Sequence, residues 1–258
     1  MRFQSSIVLP VAKTRVFARQ ISLRDYIEFL KCLQNNEPVV IERFIRYLIE
    51  QYCDVTHLTI IDQLVLMVFL RVISINSALV YEDKGQKVNI ELYPFLNSLL
   101  EVDVKSTTTL EGAVALTVPT CLFSEDKYAL YQSCTNTPIN DLPAKFCKEC
   151  QEYIDFIDQK IKIEFRYHAQ QPPVPVRVSD NSIFEIIQVL YTDSLQNIFH
   201  KIYTLVSSAH FSEDYLLSIP PAELEVMLSI LKADTEVKPK RPGVDIPPPP
   251  VNTNGFYE

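Results

Sequence analysis

Glycine is almost missing from this chain. Four occur in 258 residues, and two of them, Gly243 and Gly255, lie in a proline-rich stretch at the carboxy-terminal end, leaving Gly85 and Gly112 for residues 1–233. A dinucleotide fingerprint, a phosphate-binding P-loop and a nucleophile elbow each need closely spaced residues without a Cβ. Two glycines 27 positions apart cannot write any of them. Long apolar runs are also lacking: the longest, Leu64 to Leu70, has seven residues, against the roughly 20 that a membrane-spanning helix needs, so no membrane span is expected. The opening MRFQSSIVLP has no charged region followed by an apolar run of signal-peptide length. The expected setting is a reducing cytoplasm, where Cys32, Cys53, Cys121, Cys134, Cys147 and Cys150 serve as small buried hydrophobes rather than disulfides. Basic residues are outnumbered 24 to 32, giving a net charge of −8 and a pI near 5.1. That balance argues against nucleic-acid partners, whose phosphates call for neutralising cations.

What is present is an ordinary globular composition, 47% hydrophobic and 22% charged, with a skewed charge distribution. Residues 1–24 hold Arg2, Lys13, Arg15, Arg19 and Arg24 and no acid, a charge of +5, so the rest carries −13. A basic edge on an acidic body suits an acidic partner or a neighbouring copy of the chain; the simpler reading is a strand with solvated outer residues.

Residues 7–21 are β-branched and broken by Pro10, which predicts two short strands or one bent strand, with Val16 and Ala18 on one face and Phe17 and Arg19 on the other. Ser22 and Asp25 form a capping-box variant, and Ile21 and Tyr26 stand at staple positions, so a helix starts at Leu23. Pro38 opens a second amphipathic helix along Ile41, Phe44, Ile45, Leu48, Ile49 and Tyr52. Thr59 and Asp62 cap a third, Ile60 to Ile73, which is apolar nearly all round and therefore predicted to be the most enclosed. A hairpin follows, Ala78–Glu82 and Gln86–Glu91 around Asp83-Lys84-Gly85, then a short helix from Pro94 to Leu100. Val102–Thr109 and Val114–Phe123 read as strands separated by Glu111-Gly112.

Asp141 stands where it would cap a long helix carrying Phe146, Cys150, Tyr153, Ile154, Ile157 and Ile161. Residues 161–167 alternate as a strand, and the Pro172-Pro173, Pro175 cluster reads as a connection. Beyond Ser182 come helical pieces: Phe184–Leu190; a stripe of Leu195, Ile198, Phe199, Ile202, Leu205 and Val206; then Tyr215–Ile219 and Leu224–Leu231. After Ala233 six prolines and two glycines leave too little apolar surface to offset an ordering cost of roughly 1–2 kcal/mol per residue. Pro247 to Pro250 favour polyproline II, and Phe256-Tyr257 supply aromatic anchors.

The expected fold is therefore α+β, predominantly helical with short antiparallel strands and hairpins, ending in a compact helical segment and a disordered proline-rich tail. Residues 1–170 form the mixed region, 176–233 the helical one and 234–258 the tail.

Chemistry finds no clear seat. Cys147-x-x-Cys150 is the one pair with metal or redox spacing, but a zinc site needs two more ligands. Cys134 and His168 are isolated, and both thiols fall on the packed face of the predicted helix. His57, His168, His200 and His210 are dispersed, with His200 read as an ordinary surface or core histidine. The pairs Glu223/Glu225 and Asp155/Asp158 read as solvated helix faces. No catalytic, cofactor-binding or metal residue is assigned. Arg71 stands out, because a guanidinium at the end of an apolar helix must reach water or a fixed partner; snorkelling to the surface is the simpler reading. The candidate partner-binding residues are Lys13, Arg15, Arg19, Arg24 and Arg71, with Pro247, Pro248, Pro249, Pro250, Phe256 and Tyr257 in the tail.

Three segments resemble one family. IVLPVAKTRVFARQISLRDYIEFLKCL is similar to the "LP…K…R.I…Y..LLK" opening of the baseplate hub assembly proteins of T-even-type myophages. LTIIDQLVLMVFLRVISINSALV resembles that family's apolar helix ending in an arginine before a strand, with Asp62 and Arg71 at the matching polar positions. NIFHKIYTLVSSAHFSEDYLLSIPPAELEVMLSIL resembles its closing helix, short helix, helix. The likeness covers about 90 residues; the middle third matches only in style, and the proline tail lies outside the pattern. It implies a non-enzymatic phage protein acting in the cytoplasm of the infected bacterium, a chaperone or minor component of the baseplate hub whose partners are hub or tape-measure proteins. The alternatives are a permanent structural subunit of the virion baseplate or tail and, less favoured, a thiol-dependent enzyme using Cys147 and Cys150 with His168 or His200. Homo-oligomerisation is compatible with each.

Overall fold

Helix starts are where local chemistry and final structure coincide most closely. A computed structural model of the chain describes residues 5–83, 86–110, 112, 114–135, 143–167 and 172–237. Strands β1 (Ser5–Val8) and β2 (Arg15–Ala18) pair antiparallel with Ile7 opposite Val16; Val16 and Ala18 are buried while Phe17 is exposed, as the alternation predicts. Helix α1 (Leu23–Asn35) begins at Ser22, whose Oγ accepts from the Asp25 N–H at 3.2 Å. The return half of the capping box is rerouted. Asp25 accepts from the Tyr52 hydroxyl at 2.6 Å, and the Ser22 N–H donates to that same hydroxyl at 3.0 Å. A tyrosine at the end of α2 (Pro38–Tyr52) thus completes the cap of α1.

Helix α3 (Ile60–Ser74) lies at the centre. Thr59 caps it, and Ile60 to Val68 are all buried, with Leu70, Arg71 and Ser74. Around it pack α2, α4 (Leu92–Leu100) and α7 (Ser182–Leu190). Asp62 in its first turn accepts from the Val11 and Ala12 N–H groups at 3.0 and 3.1 Å, pinning the β1–β2 loop to the helix.

Strands β3 (Ala78–Asp83) and β4 (Gln86–Glu91) form the expected hairpin, its ladder running from Ala78 opposite Glu91 to Asp83 opposite Gln86; Lys84 and Gly85 lie outside the described residues. Helix α4 starts at Leu92, two residues before Pro94; a proline in the first turn forfeits no intrahelical bond.

The strands expected at 102–109 and 114–123 shrink to the two-residue pairs β5 (Thr107–Thr108) and β6 (Ala115–Leu116). Their apolar residues are buried all the same: Val102, Val104, Leu116, Val118 and Leu122 belong to the core. Their backbone groups find partners elsewhere. Pro119 O accepts from the Ile60 N–H at 2.7 Å, Thr120 O from Gln63 Nε2 at 2.8 Å, and the Thr117 N–H donates to Cys134 O at 2.7 Å. β-Branched composition secured burial here, while helix ends supplied the hydrogen-bond partners that a ladder would have supplied.

After α5 (Lys127–Gln132) comes α6 (Ala144–Lys160). Asp141 lies outside the described residues, and the position preceding the helix is Pro143, with no side-chain cap. Phe146, Cys150, Tyr153, Ile154, Ile157 and Ile161 are buried as the stripe predicts. The strand expected over 161–167 is only β7 (Glu164–Phe165), and it pairs with β8 (Val174–Pro175). The proline cluster is thus partly a strand and not merely a connection; an edge position tolerates the missing N–H.

Helices α8 (Leu195–Ala209), α9 (Glu213–Ser218) and α10 (Pro221–Val237) close the described fold. Helix α10 runs four residues past Ala233 into the stretch expected to be tail; residues 238–258, including Pro247 to Pro250, Phe256 and Tyr257, lie outside the described residues. One buried cluster extends from Ile7 to Leu228, so residues 176–233 share the core of the first half. The fold is α+β, predominantly helical, with two-stranded antiparallel sheets. No helix among the described residues is long and apolar enough to cross a membrane.

Scarcity of glycine leaves a mark on the backbone. Lys13, Asn36, His57 and His210 all hold positive φ, and Asn36 and His210 are the left-handed residues that end α1 and α8. Glycine is the usual residue there, since a Cβ costs about 1 kcal/mol in that region. His210→Gly should therefore stabilise the protein by about 0.5–1 kcal/mol, read as a higher urea midpoint with an unchanged slope.

Candidate functional site

The five basic candidates do not form one free surface. Lys13 Nζ sits 3.1 Å from Asp103 Oδ1, and Arg24 reaches Asp214 Oδ1 at 3.3 Å. Arg19 donates from Nε and Nη2 to Gln51 O at 3.1 and 2.7 Å and lies over the Tyr52 ring, 5.1 Å from its centroid. Arg15 is exposed on β2. Most of the basic edge is therefore spent on the chain's own acids, carbonyls and rings. The exposed ion pairs are worth little individually, up to about 1 kcal/mol.

Arg71 does not snorkel. Its side chain is 3% exposed and its Nη1 meets Asp193 Oδ2 at 3.2 Å. Asp193, in the α7–α8 link, also accepts from the Tyr26 hydroxyl of α1. Arg71 Nη2 donates to Asn76 Oδ1 at 3.5 Å, its Nε has no partner, and its guanidinium stands 5.8 Å from the centroid of the buried Tyr191 ring. The Tyr191 hydroxyl donates to Met67 O at 2.7 Å. Burial, and next the Asp193 charge, push the Tyr26 phenol well above its ordinary value. Tyr26, Arg71 and Asp193 thus form a polar node joining α1, α3 and the entry to α8. Beside it lies a cavity of about 180 Å³, also lined by Asn76, Asn197 and Lys201, with Lys201 paired to Glu225 of α10. Nothing in the sequence marked Asp193; a lone Asp before a Ser cap is ordinary helix-start chemistry.

Cys150 is fully buried and Cys147 half-buried against the core. Cys134, just past α5, pairs with Cys150: a hydrogen bond between the two thiols, and then burial, push the Cys134 thiol upward. The same hydrogen bond pulls the Cys150 thiol below its ordinary value, against the effect of burial. His200 is exposed on α8, His57 and His210 occupy turn positions, and His168 lies outside the described residues. Among the described residues no group of three or more His, Cys, Asp or Glu side chains is placed to hold a metal ion. The Asp155/Asp158 pair is not simply a solvated face. Asp158 accepts from the Val178 and Ser179 N–H groups at 2.7 and 3.3 Å, fixing the turn before α7, while Asp155 accepts from Gln151 Nε2 at 2.7 Å. Glu225 likewise has a fixed partner in Lys201, whereas Glu223 is exposed.

The surface that the sequence did not single out is on α8. Ile198, Ile202 and Leu205 are buried, but Phe199 is 47% exposed, Tyr203 70% and Val206 36%. The second set is spaced i, i+4, i+7 and so forms its own stripe beside the core stripe. A single apolar period along α8 does not separate Phe199 and Val206 from the buried stripe; Tyr203 completes the second row. On α10, Val226 and Ile230 are each 58% exposed. Such a side-chain row can receive the apolar face of another helix. No protein-family model, curated protein or solved structure matches this chain.

Proposed function

We propose that this is a non-enzymatic assembly protein of a contractile-tail phage baseplate hub, working in the cytoplasm of the infected bacterium. On this reading it holds an amphipathic helix of a hub or tape-measure protein against α8. The observation that carries the reading is the exposed Phe199, Tyr203 and Val206 row, backed by a helix already seated through Ile198, Ile202 and Leu205. A preformed, well-supported apolar row gives binding energy with little ordering cost.

The three family-like segments lie together in the fold. They converge: the Leu23 N–H donates to Ile219 O at 2.7 Å, the Ile21 N–H to Ser74 Oγ at 2.9 Å, and α1 packs on both α8 and α9. Segments far apart in sequence thus build one unit around the Tyr26–Arg71–Asp193 node.

Co-expression with the hub and tape-measure proteins and capture at low salt tests the proposal. A defined hub component should be retained, and Phe199→Ser with Tyr203→Ser should weaken retention at least tenfold without lowering the melting temperature. Failure to retain any hub or tape-measure protein would contradict it. Mass spectrometry of purified particles separates an assembly factor, absent from the virion, from a permanent baseplate subunit.

A further inference from the structure

Two thiols meet between α5 and α6. Cys134 and Cys150 are each 0% exposed, and both reach the last turn of α5: Cys134 Sγ donates to Leu130 O at 3.5 Å and Cys150 Sγ to Tyr131 O at 3.9 Å. Tyr131 O also accepts from the Cys134 N–H at 3.1 Å, so a single oxygen holds the Cys150 side chain beside the Cys134 main chain. The two thiols are hydrogen-bonded to each other. Sulfurs in such contact can bond at about 2.0 Å after side-chain rotation. Cys121 is engaged elsewhere, its Sγ donating to Ser133 Oγ at 3.1 Å, and Cys147 stands one turn before Cys150 on α6.

We propose that Cys134 and Cys150 are a disulfide-forming pair, thiols in a reducing medium and a cross-link between the α5 end and α6 when the protein meets a low-molecular-weight disulfide such as oxidised glutathione. The shared hydrogen bond divides the work: it lowers the Cys150 thiol and raises that of Cys134, so Cys150 attacks and Cys134 resolves. The Cys150 thiolate attacks one sulfur of the oxidant, the oxidant's S–S bond breaks, and the first thiolate leaves and takes up the proton that Cys150 released. Cys134 then gives up its proton and attacks Cys150 Sγ, expelling the second thiolate, which takes that proton. Two electrons pass from the pair to the oxidant, and one S–S bond replaces another. Burial makes the reaction depend on local opening and therefore slow. Its product is a fixed joint. Cys134 O already accepts from the Thr117 N–H and Oγ1 at 2.7 and 3.3 Å, so the cross-link ties the β6 strand end, α5 and α6 together. It is independent of the α8 surface.

Holding the full, reduced chain to equilibrium in glutathione redox buffers tests this, with samples quenched, denatured, alkylated and mapped by mass spectrometry without reduction. The map should contain one peptide pair joined through Cys134 and Cys150, while the other four cysteines stay alkylated. The melting temperature should rise by about 5 °C or more, because the bond constrains the unfolded chain, and dithiothreitol should reverse the rise. Cys134→Ser and Cys150→Ser should each abolish both effects, whereas Cys121→Ser and Cys147→Ser should retain them. The map of the unaltered chain decides the pairing even where a serine variant folds poorly. Both thiols still alkylated at the most oxidising ratio, or glutathione adducts that never close, would overturn the proposal. So would a Cys147–Cys150 or Cys121–Cys134 bond in place of the expected one, or a Cys134–Cys150 bond that lowers the melting temperature.

Discussion

Asp193→Ala should destabilise the protein by about 3 kcal/mol, whereas Arg71→Met should cost less than about 1 kcal/mol, although both break the same ion pair. The asymmetry follows from where each charge sits. Arg71 is 3% exposed and Asp193 is 41% exposed. Without Asp193, the guanidinium remains buried with a single long hydrogen bond to Asn76 and an Nε that already lacks a partner. Stranding one member of a buried pair costs about 3–5 kcal/mol, and the lower end applies because solvent reaches Asp193. Without Arg71, the carboxylate keeps access to water and the Tyr26 hydroxyl, and methionine refills the apolar space over Tyr191. The double variant Asp193→Ala, Arg71→Met should recover most of the loss. Urea unfolding of the three variants measures this; equal costs for the two single changes would mean that Arg71 reaches water in solution.

Asp62→Ala should cost about 3 kcal/mol, because it strands the Val11 and Ala12 N–H groups and removes the acceptor of the Thr59 hydroxyl, 2.9 Å away. The same residue gives a pH signature. Burial pushes its carboxyl above the ordinary 3.8, outweighing the Val11, Thr59 and Ala12 hydrogen bonds and the Lys13 charge, which pull it down. An acid with a raised folded pKa binds more protons folded than unfolded. Its contribution therefore falls as pH rises from the unfolded value through the folded one. Compared at pH 4 and pH 7, wild type should lose stability relative to Asp62→Asn, which cannot ionise. Limited proteolysis adds a local readout: Asp62→Ala should expose the β1–β2 loop near Lys13 to trypsin first.

Legibility in the sequence tracked how local the determining interactions are. Ser22, Thr59 and Pro38 fixed helix starts to the residue, since a cap concerns only the next three positions. The apolar period of α3 gave its central place for a similar reason: a helix without a polar face has nowhere else to go. The segments 102–109 and 114–123 were legible as buried but not as loops. Their partners, Ile60, Gln63 and Cys134, lie on other elements, and strand propensity does not encode them. Arg71 was legible as a problem; its solution, Asp193, stands 122 residues away. The α8 surface was partly visible, because Tyr203 extends Phe199 and Val206 into a second stripe that one helical face cannot bury.

The proposed role depends on that second stripe being a contact. A photo-crosslinking residue placed at Tyr203, in protein co-expressed with the hub and tape-measure proteins, tests the contact directly. The account expects a covalent adduct with a hub or tape-measure component, and none from the same residue placed at Lys148. Recovery of a complex with crosslinks at 148 and none at 203 would contradict it.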